Sequence, residues 1–329
     1  MKRRTAAFFL TLSLLAGACA AGGALAQAPA SDYPNRPIRW IVPFPPAGSN
    51  DILARYLGVK LSERVGQQVV IDNRGGANGI IGTEIAASAA ADGYTLLMVS
   101  TSFVMNAAVR SLTYDVEKSF DPVALIGSSP NSIVVHPKGP YRTLGELVEA
   151  ARARPGAIQY ASTGVGGFNH FGGELFNKVA GIRMQMVPYK GGGPAMVDVM
   201  AGHVPVMFSS ITQVLPHVRT GRLKLLAVGS ARRSPVVPDV PTVIESGYPG
   251  YEVTVWWGAV TPAGVPAAVR SKLAREFNAI LREPETQKWL AANAAAEAEV
   301  RTPAEIRRMF REELEKWTRV AREAGIRAH

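Results

Sequence analysis

The chain has 329 residues, 47% hydrophobic and 19% charged, with glycine and proline spread along its length. That length suits two α/β lobes better than one core, and the absence of repeats or low-complexity tracts excludes solenoids and disordered arrays. The formal charge is +10, yet the basic residues interleave with acids on helical patterns, as Arg307, Arg308 and Arg311 do with Glu312, Glu313 and Glu315; this is a solvated face, which excludes nucleic acid as a partner and leaves a positive field able to draw anionic solutes.

The first segment reads as an export leader rather than part of the fold. Lys2, Arg3 and Arg4 precede an apolar run over residues 6–16, and Ala24-Leu25-Ala26 supplies the small-x-small pattern of a cleavage site. Residues 1–26 are therefore expected to be a signal peptide, cut after Ala26, which makes the mature chain periplasmic and lowers its charge to +7 by removing three basic residues. Two alternatives are a twin-arginine signal at Arg3-Arg4 and a lipidated Cys19, though Ala16 stands where a lipobox usually has leucine. Cys19 is the only cysteine and lies in that leader, so the mature chain has no disulfide, thiolate nucleophile or cysteine metal site. No later stretch is long and apolar enough to span a bilayer.

Short apolar runs then alternate with helical patterns, the mark of an α/β sheet. Ile38 to Val42 reads as a strand, Asp51 to Val65 as a helix and Val69 to Asp72 as a strand. Ile80 to Ala90 reads as a helix, and Tyr94 to Ser100 as a strand. Val123 to Val135 is too long for one strand and is interrupted by Ser128-Ser129-Pro130, so it is expected to cross between lobes. Thr143 and Glu146 spell a capping box that opens a helix to Arg154. A strand over Ile158 to Ala161, a helix over Phe171 to Val179, a strand over Met184 to Val187, a helix over Pro194 to Ala201 and a strand over Val204 to Phe208 follow. Leu223 to Val228 is expected to be the return crossover. Thr302-Pro303-Ala304-Glu305 opens a last helix, whose Ile306, Phe310, Leu314 and Trp317 form a core-facing stripe. The expected architecture is two lobes, 33–130 plus 229–329 and 131–228, joined by two crossovers, with a ligand cleft in the gap.

Four glycine-rich turns are candidates for that cleft. The first, Val42 to Asp51, leaves a strand and enters a helix; its Gly48 allows close approach, Ser49, Asn50 or Asp51 caps the helix, and free N–H groups there would hold a carboxylate. It reads equally as a rigid turn with an ordinary N-cap. The second, Ser162 to His170, exposes backbone N–H groups at its glycines and adds two hydroxyls. It lacks the Gly-Lys-Ser/Thr of a P-loop and has Asn169 where a dinucleotide fingerprint needs glycine, so a nucleotide cradle is excluded. In the third, Tyr189 to Pro194, Lys190 either pairs with an anion or stands exposed on a turn. In the fourth, Gly75 to Gly79, Asn78 is a candidate donor.

Catalytic patterns are missing. There is no Gly-x-Ser-x-Gly elbow and no His-Glu-x-x-His, and the five histidines are scattered without metal-ligand spacing. A hydrolase built on Ser162 or Thr163 with His170 would need an orienting acid and an oxyanion hole that no motif supplies. No enzyme activity, metal or cofactor is expected.

Several segments together resemble the Bug-type receptors, the solute-binding proteins of tripartite tricarboxylate transporters. They are Arg36-Pro37-Ile38 with Val42 to Gly48, Asp72 to Gly79 with Asp92-Gly93-Tyr94-Thr95-Leu96, Tyr160 to Gly164, Val187 to Gly191, Pro238 to Thr242, and Trp257-Gly258 with Thr261 to Pro266. The resemblance implies a two-lobed, type II-like periplasmic binding fold closing on a carboxylate held largely by backbone N–H groups and ordered water. It points to Phe44, Ala47, Gly48, Ser49 and Asp51 on one lobe, and to Ser162, Thr163, Gly164, Gly166, His170, Tyr189 and Lys190 on the other. It departs from the family pattern at Ala47, where glycine is frequent, at Gly167-Phe168, which lacks a serine, and near Val206, which lacks an aspartate. Those changes add aromatic or partly apolar acids to the di- and tricarboxylates as expected ligands. The expected partner is a membrane permease, served by a monomeric receptor. A sensor that presents the same acid to a signalling partner is the alternative, and neighbouring genes would separate the two.

Overall fold

The computed structural model describes residues 32–293 and 300–327. The expected leader, with its cleavage after Ala26 and with Cys19, lies outside the described residues. Contacts divide the chain into Met1–Tyr33 and Pro34–His329, and the fold below is that of the second unit.

Among the described residues nine strands run β1 (Ile38–Val42), β2 (Val69–Asn73), β3 (Thr95–Ser100), β4 (Phe120–Val135), β5 (Gln159–Ser162), β6 (Gln185–Pro188), β7 (Val206–Ser210), β8 (Lys224–Val228) and β9 (Thr254–Pro262). The helices are α1 (Ser49–Val65), α2 (Ile80–Ala87), α3 (Thr101–Val109), α4 (Leu144–Ala153), α5 (Phe168–Ala180), α6 (Gly192–Met200), α7 (Ile211–Arg219), α8 (Ala267–Arg282), α9 (Pro284–Ala292) and α10 (Pro303–Ala324). The strands are ordered β2-β1-β3-β9-β4-β7-β5-β6, with β8 also pairing β4. β1 to β3 are parallel, as are β5 to β7, and β9 and β4 run antiparallel between them. The apolar runs Trp40-Ile41-Val42 of β1 and Leu96 to Val99 of β3 suit parallel strands covered by helices on both faces.

Two features differ from the expected course. Val123–Val135 is not a loose connection but most of the 16-residue strand β4, which pairs with β9 as far as Pro130–Thr254 and with β7 from Asn131–Ser210 onward. A strand can be this long because it serves two half-sheets in turn, and Pro130, which has no N–H to donate, sits where the pairing changes hands. Leu223–Val228 likewise supplies a paired strand, β8, which runs antiparallel to β4.

Three passages of chain between the half-sheets are tied in a closed backbone ring. Asn131 N–H donates to the Val253 carbonyl (2.9 Å), Val253 N–H to Gly229 (2.8 Å) and Gly229 N–H to Asn131 (2.7 Å). A Cβ at Gly229 would lie 2.8 Å from the Tyr251 ring and 3.0 Å from Asn131 Cβ, so only glycine fits.

The last helix opens on the expected capping box, with Thr302 and Glu305 bonded reciprocally. Ile306, Phe310 and Trp317 are buried, whereas Leu314 is half-buried. Phe310 stacks on Trp256 and meets Phe103 edge-on, while Trp317 meets Phe171 of α5 at 5.3 Å, so α10 straps both halves.

Candidate functional site

Five helices begin at one cavity of about 40 Å3. It is lined by Gly48, Ser49 and Asn50 at the start of α1, Ser100 and Ser102 at α3, Phe168 and Asn169 at α5, Gly192 at α6, and Ser210 and Gln213 at α7. The placement follows from topology: each of these helices follows directly on the carboxyl end of a strand, or on a short loop from it, and strand ends in such sheets converge. Phe44, Thr163, Ser209 and Val255 complete the wall, and no lining side chain is charged.

The first N–H groups of a helix have no partner within it, and the aligned peptide dipoles make that end electropositive. Here the N-caps Gly48, Ser100, Gly167 and Gly191 make no side-chain cap bond. Only α7 is capped, by Ser210 Oγ accepting from Gln213 N–H. One α5 donor is used across the cleft, Phe168 N–H to Ser102 Oγ (3.2 Å). The rest make a neutral-walled donor cluster, which stabilises an anion without a lysine or arginine.

Two carboxamides add unspent polar atoms. Asn50 and Gln213 are both buried, at 8% and 6% exposure, and Asn50 Oδ1 and Gln213 Nε2 have no hydrogen-bond partner among the described residues. A buried polar atom left unpaired costs free energy, so its appearance twice in one lining marks the cavity as a place where polar groups are received.

Of the residues expected from sequence, Phe44, Gly48, Ser49 and Thr163 line this cavity. Asp51 and Ala47 hold its loop instead. Asp51 accepts from Ala47 N–H (3.0 Å), Arg55 Nε (2.9 Å) and Asn73 Nδ2 (2.9 Å). Burial alone would raise the Asp51 carboxyl, but these bonds outweigh it and hold its pKa below the ordinary value. Ala47 has φ 65°, a left-handed conformation that glycine adopts more easily.

Asn78 lies in an adjoining recess of about 10 Å3 that shares Phe44, Ser100 and Ser102 with the main cavity. Its Nδ2 donates to Asn106 Oδ1 (3.0 Å), and its Oδ1 accepts from Thr163 Oγ1 (3.0 Å). Ser162 sits beneath its turn, with Oγ accepting from Gly164 N–H at 3.3 Å. Gly164 and Gly166 have φ of 110° and 84°, and Gly166 N–H donates to His170 Nδ1 (3.3 Å). Burial lowers the His170 pKa, with Glu174 opposing, so the imidazole is neutral and works as a capping acceptor. Tyr189 and Lys190 do not reach the cavity: Tyr189 OH donates to Asp198 (2.6 Å) and Lys190 is exposed.

The lobes meet around the cavity. Besides Thr163–Asn78, Arg110 donates to the Val165 carbonyl (2.7 Å), and Pro45 lies so near Gly191 that a Cβ there would be 2.5 Å from its ring. Among the described residues no group of three or more His, Cys, Asp or Glu is placed to hold a metal ion, and no helix is long and apolar enough to cross a membrane.

Sequence reasoning missed Asn50, Phe168, Asn169 and Val255 as lining residues, together with α3 and α7 as contributors through Ser100, Ser102, Ser209, Ser210 and Gln213; Gly192 lies in the third candidate turn, where Lys190 rather than the glycine was the residue of interest. The signal was present, since Ser100 and Ser210 each stand at a strand-to-helix junction like the two loops singled out.

A two-lobed α/β receptor with a ligand cleft at converging helix N-termini is the class that this fold and cavity define. The profile of the tripartite tricarboxylate transporter family receptor matches residues 53–326, and the chain belongs to that family. The family consists of solute-binding receptors, not enzymes. The chain is 38% identical to Protein BugT of Bordetella pertussis, over 94% of this chain and 95% of that one. Its fold matches an R. palustris protein with adipate at TM-score 0.87 and 32% identity, covering 90% and 99% of the two chains. It also matches MatC from Rhodopseudomonas palustris with bound malate at TM-score 0.84 and 29% identity, covering 88% and 99%.

Proposed function

We propose that this protein captures a small carboxylate in the periplasm, a di- or tricarboxylate or an aromatic acid, and delivers it as a monomer to the permease of a tripartite tricarboxylate-type transporter. The observation that carries this reading is the convergence of five helix N-termini, four without side-chain caps, on a cavity with no charged side chain. Related structures holding adipate and malate support the ligand class. The leader ends at Ala26, the lobes are 33–130 plus 229–329 and 131–228, and β4 with the segment after β8 joins them. Phe44, Gly48, Ser49 and Thr163 contact the acid directly. Ala47, Asp51, Asn78, Ser162, Gly164, Gly166 and His170 hold the loops that do so, and Tyr189 and Lys190 border the closed cleft.

The test is a thermal-shift screen of the mature chain. A bound acid raises the melting temperature by mass action, by about 2.7 kcal/mol of stability at a hundred times its Kd. Stabilisation by neutral sugars or metal ions, with none by carboxylates, would sink the reading.

A further inference from the structure

Gln213 has the sequence position of a capping residue and the geometry of a ligand-binding one. Ser210-Ile211-Thr212-Gln213 is a capping-box sequence, in which the glutamine side chain should reach back to the N-cap backbone. Half of the box forms, with Ser210 Oγ accepting from Gln213 N–H. The other half does not. The Gln213 carboxamide turns to the cavity, where its Oε1 accepts from Ser209 Oγ (3.1 Å) and its Nε2 has no partner among the described residues.

Its position is set from two sides. Ser209 orients the amide, and Gly192 at the start of α6 leaves the room it occupies: a Cβ at Gly192 would lie 2.5 Å from Oε1 and 2.7 Å from Nε2. Gln213 therefore forgoes a local bond to hold a neutral donor beside the N-termini of α6 and α7, in a second-lobe part of the wall distinct from the α1 loop.

We propose that Gln213 is the specificity-determining residue of the cleft, and that the acid it selects carries a second oxygen acceptor for Gln213 Nε2. This rests on the carboxylate reading above and narrows it to bifunctional acids (dicarboxylates and hydroxy or oxo acids) over simple monoacids. An acid without the second oxygen leaves the buried N–H unpaired, which is the more discriminating kind of mismatch.

The experiment is calorimetric titration of the mature protein with succinate, malate, adipate and butyrate, repeated for Gln213→Met and Gly192→Ala. The methionine keeps volume and removes both polar atoms; the alanine displaces the amide without altering it. The expected result is that wild type prefers at least one bifunctional acid to butyrate, and that each variant weakens that acid by about tenfold or more while changing butyrate less than about twofold. Circular dichroism establishes that each variant is folded, and if one is not, the other decides. Butyrate binding as tightly as the bifunctional acids, or an unchanged preference in a folded variant, overturns the proposal. No binding of any of the four acids, nor of citrate and benzoate titrated beside them, overturns the carboxylate reading itself.

Discussion

Thr163 Oγ1 donates to Asn78 Oδ1 at 3.0 Å, joining the glycine-rich turn of one lobe to that of the other beside the cavity. A Cβ on the neighbouring Gly167 would lie 2.5 Å from this hydroxyl and 2.7 Å from Asn78 Oδ1, so the pair closes only because residue 167 has no side chain. The contact joins two turns that flank the cavity, so changes to it are expected to act on ligand binding as well as on folding.

Thr163→Val keeps the shape and removes the donor. A neutral hydrogen bond contributes about 1 kcal/mol, so ligand affinity is expected to fall about fivefold, with a small change in melting temperature. Gly167→Ala, which wedges the pair apart, is expected to weaken binding further. Titration calorimetry with any acid that binds wild type checks both, and an unchanged Kd in Gly167→Ala would contradict the role given to this contact.

Because no titratable side chain lines the cavity, the protein contributes no proton exchange of its own to binding. Affinity for a carboxylate is expected to be flat between about pH 6.5 and 8.5 and to fall only as the acid itself protonates at lower pH. Kd measured across that range gives the check, and a slope within it would mean that an ionisable group joins the site.

His170 predicts a pH dependence of stability. Burial lowers its folded pKa below the ordinary imidazole value of about 6.5. The unfolded chain therefore binds more protons than the folded one below about pH 6.5, and stability rises with pH through that window and is unaffected above it. His170→Asn keeps an acceptor near Gly166 N–H and removes the titration. Urea unfolding at several pH values should show a shallower acid limb in this variant, whereas an identical limb would remove His170 from the account.

Gly229→Ala forces a Cβ against Tyr251 and Asn131 within the backbone ring that ties the lobes. Overpacking of this kind costs about 1–3 kcal/mol. Urea denaturation should show a lower midpoint, while Gly247→Ala serves as a comparison with open space around its Cβ but a φ of 95°. A midpoint unchanged in Gly229→Ala would mean that the ring yields easily.

Much of this was legible in the sequence because the strands are short apolar runs and the first two loops have marked turn chemistry. Ile38–Val42 and the Thr302–Glu305 cap come out as read. What escaped did so for identifiable reasons. Thr101–Val109 is largely apolar, and its polar Ser102 and Asn106 face a buried recess instead of solvent, so periodicity does not separate it from the preceding strand. Ile211–Arg219 contains Pro216, a helix breaker that conceals the helix behind Ser210. β4 looked too long for a strand because its two partners, β9 and β7, lie far away in sequence. In the site, Phe44, Gly48, Ser49 and Thr163 lie on loops whose glycines drew notice, whereas Gln213 belongs to a helix that had not been recognised. Asp51 and His170 carry chemistry in general, but here Asp51 is taken up by Ala47 N–H, Arg55 and Asn73, and His170 by Gly166 N–H.

The central claim is that helix N-termini, not charged side chains, hold an anionic ligand. Its most direct test compares a dicarboxylate with its neutral diamide, succinate with succinamide and adipate with adipamide, by calorimetry on the mature protein. The account predicts that at least one acid binds and that its diamide, similar in size and without charge, binds at least about a hundredfold more weakly. Equal affinity for acid and diamide would contradict it.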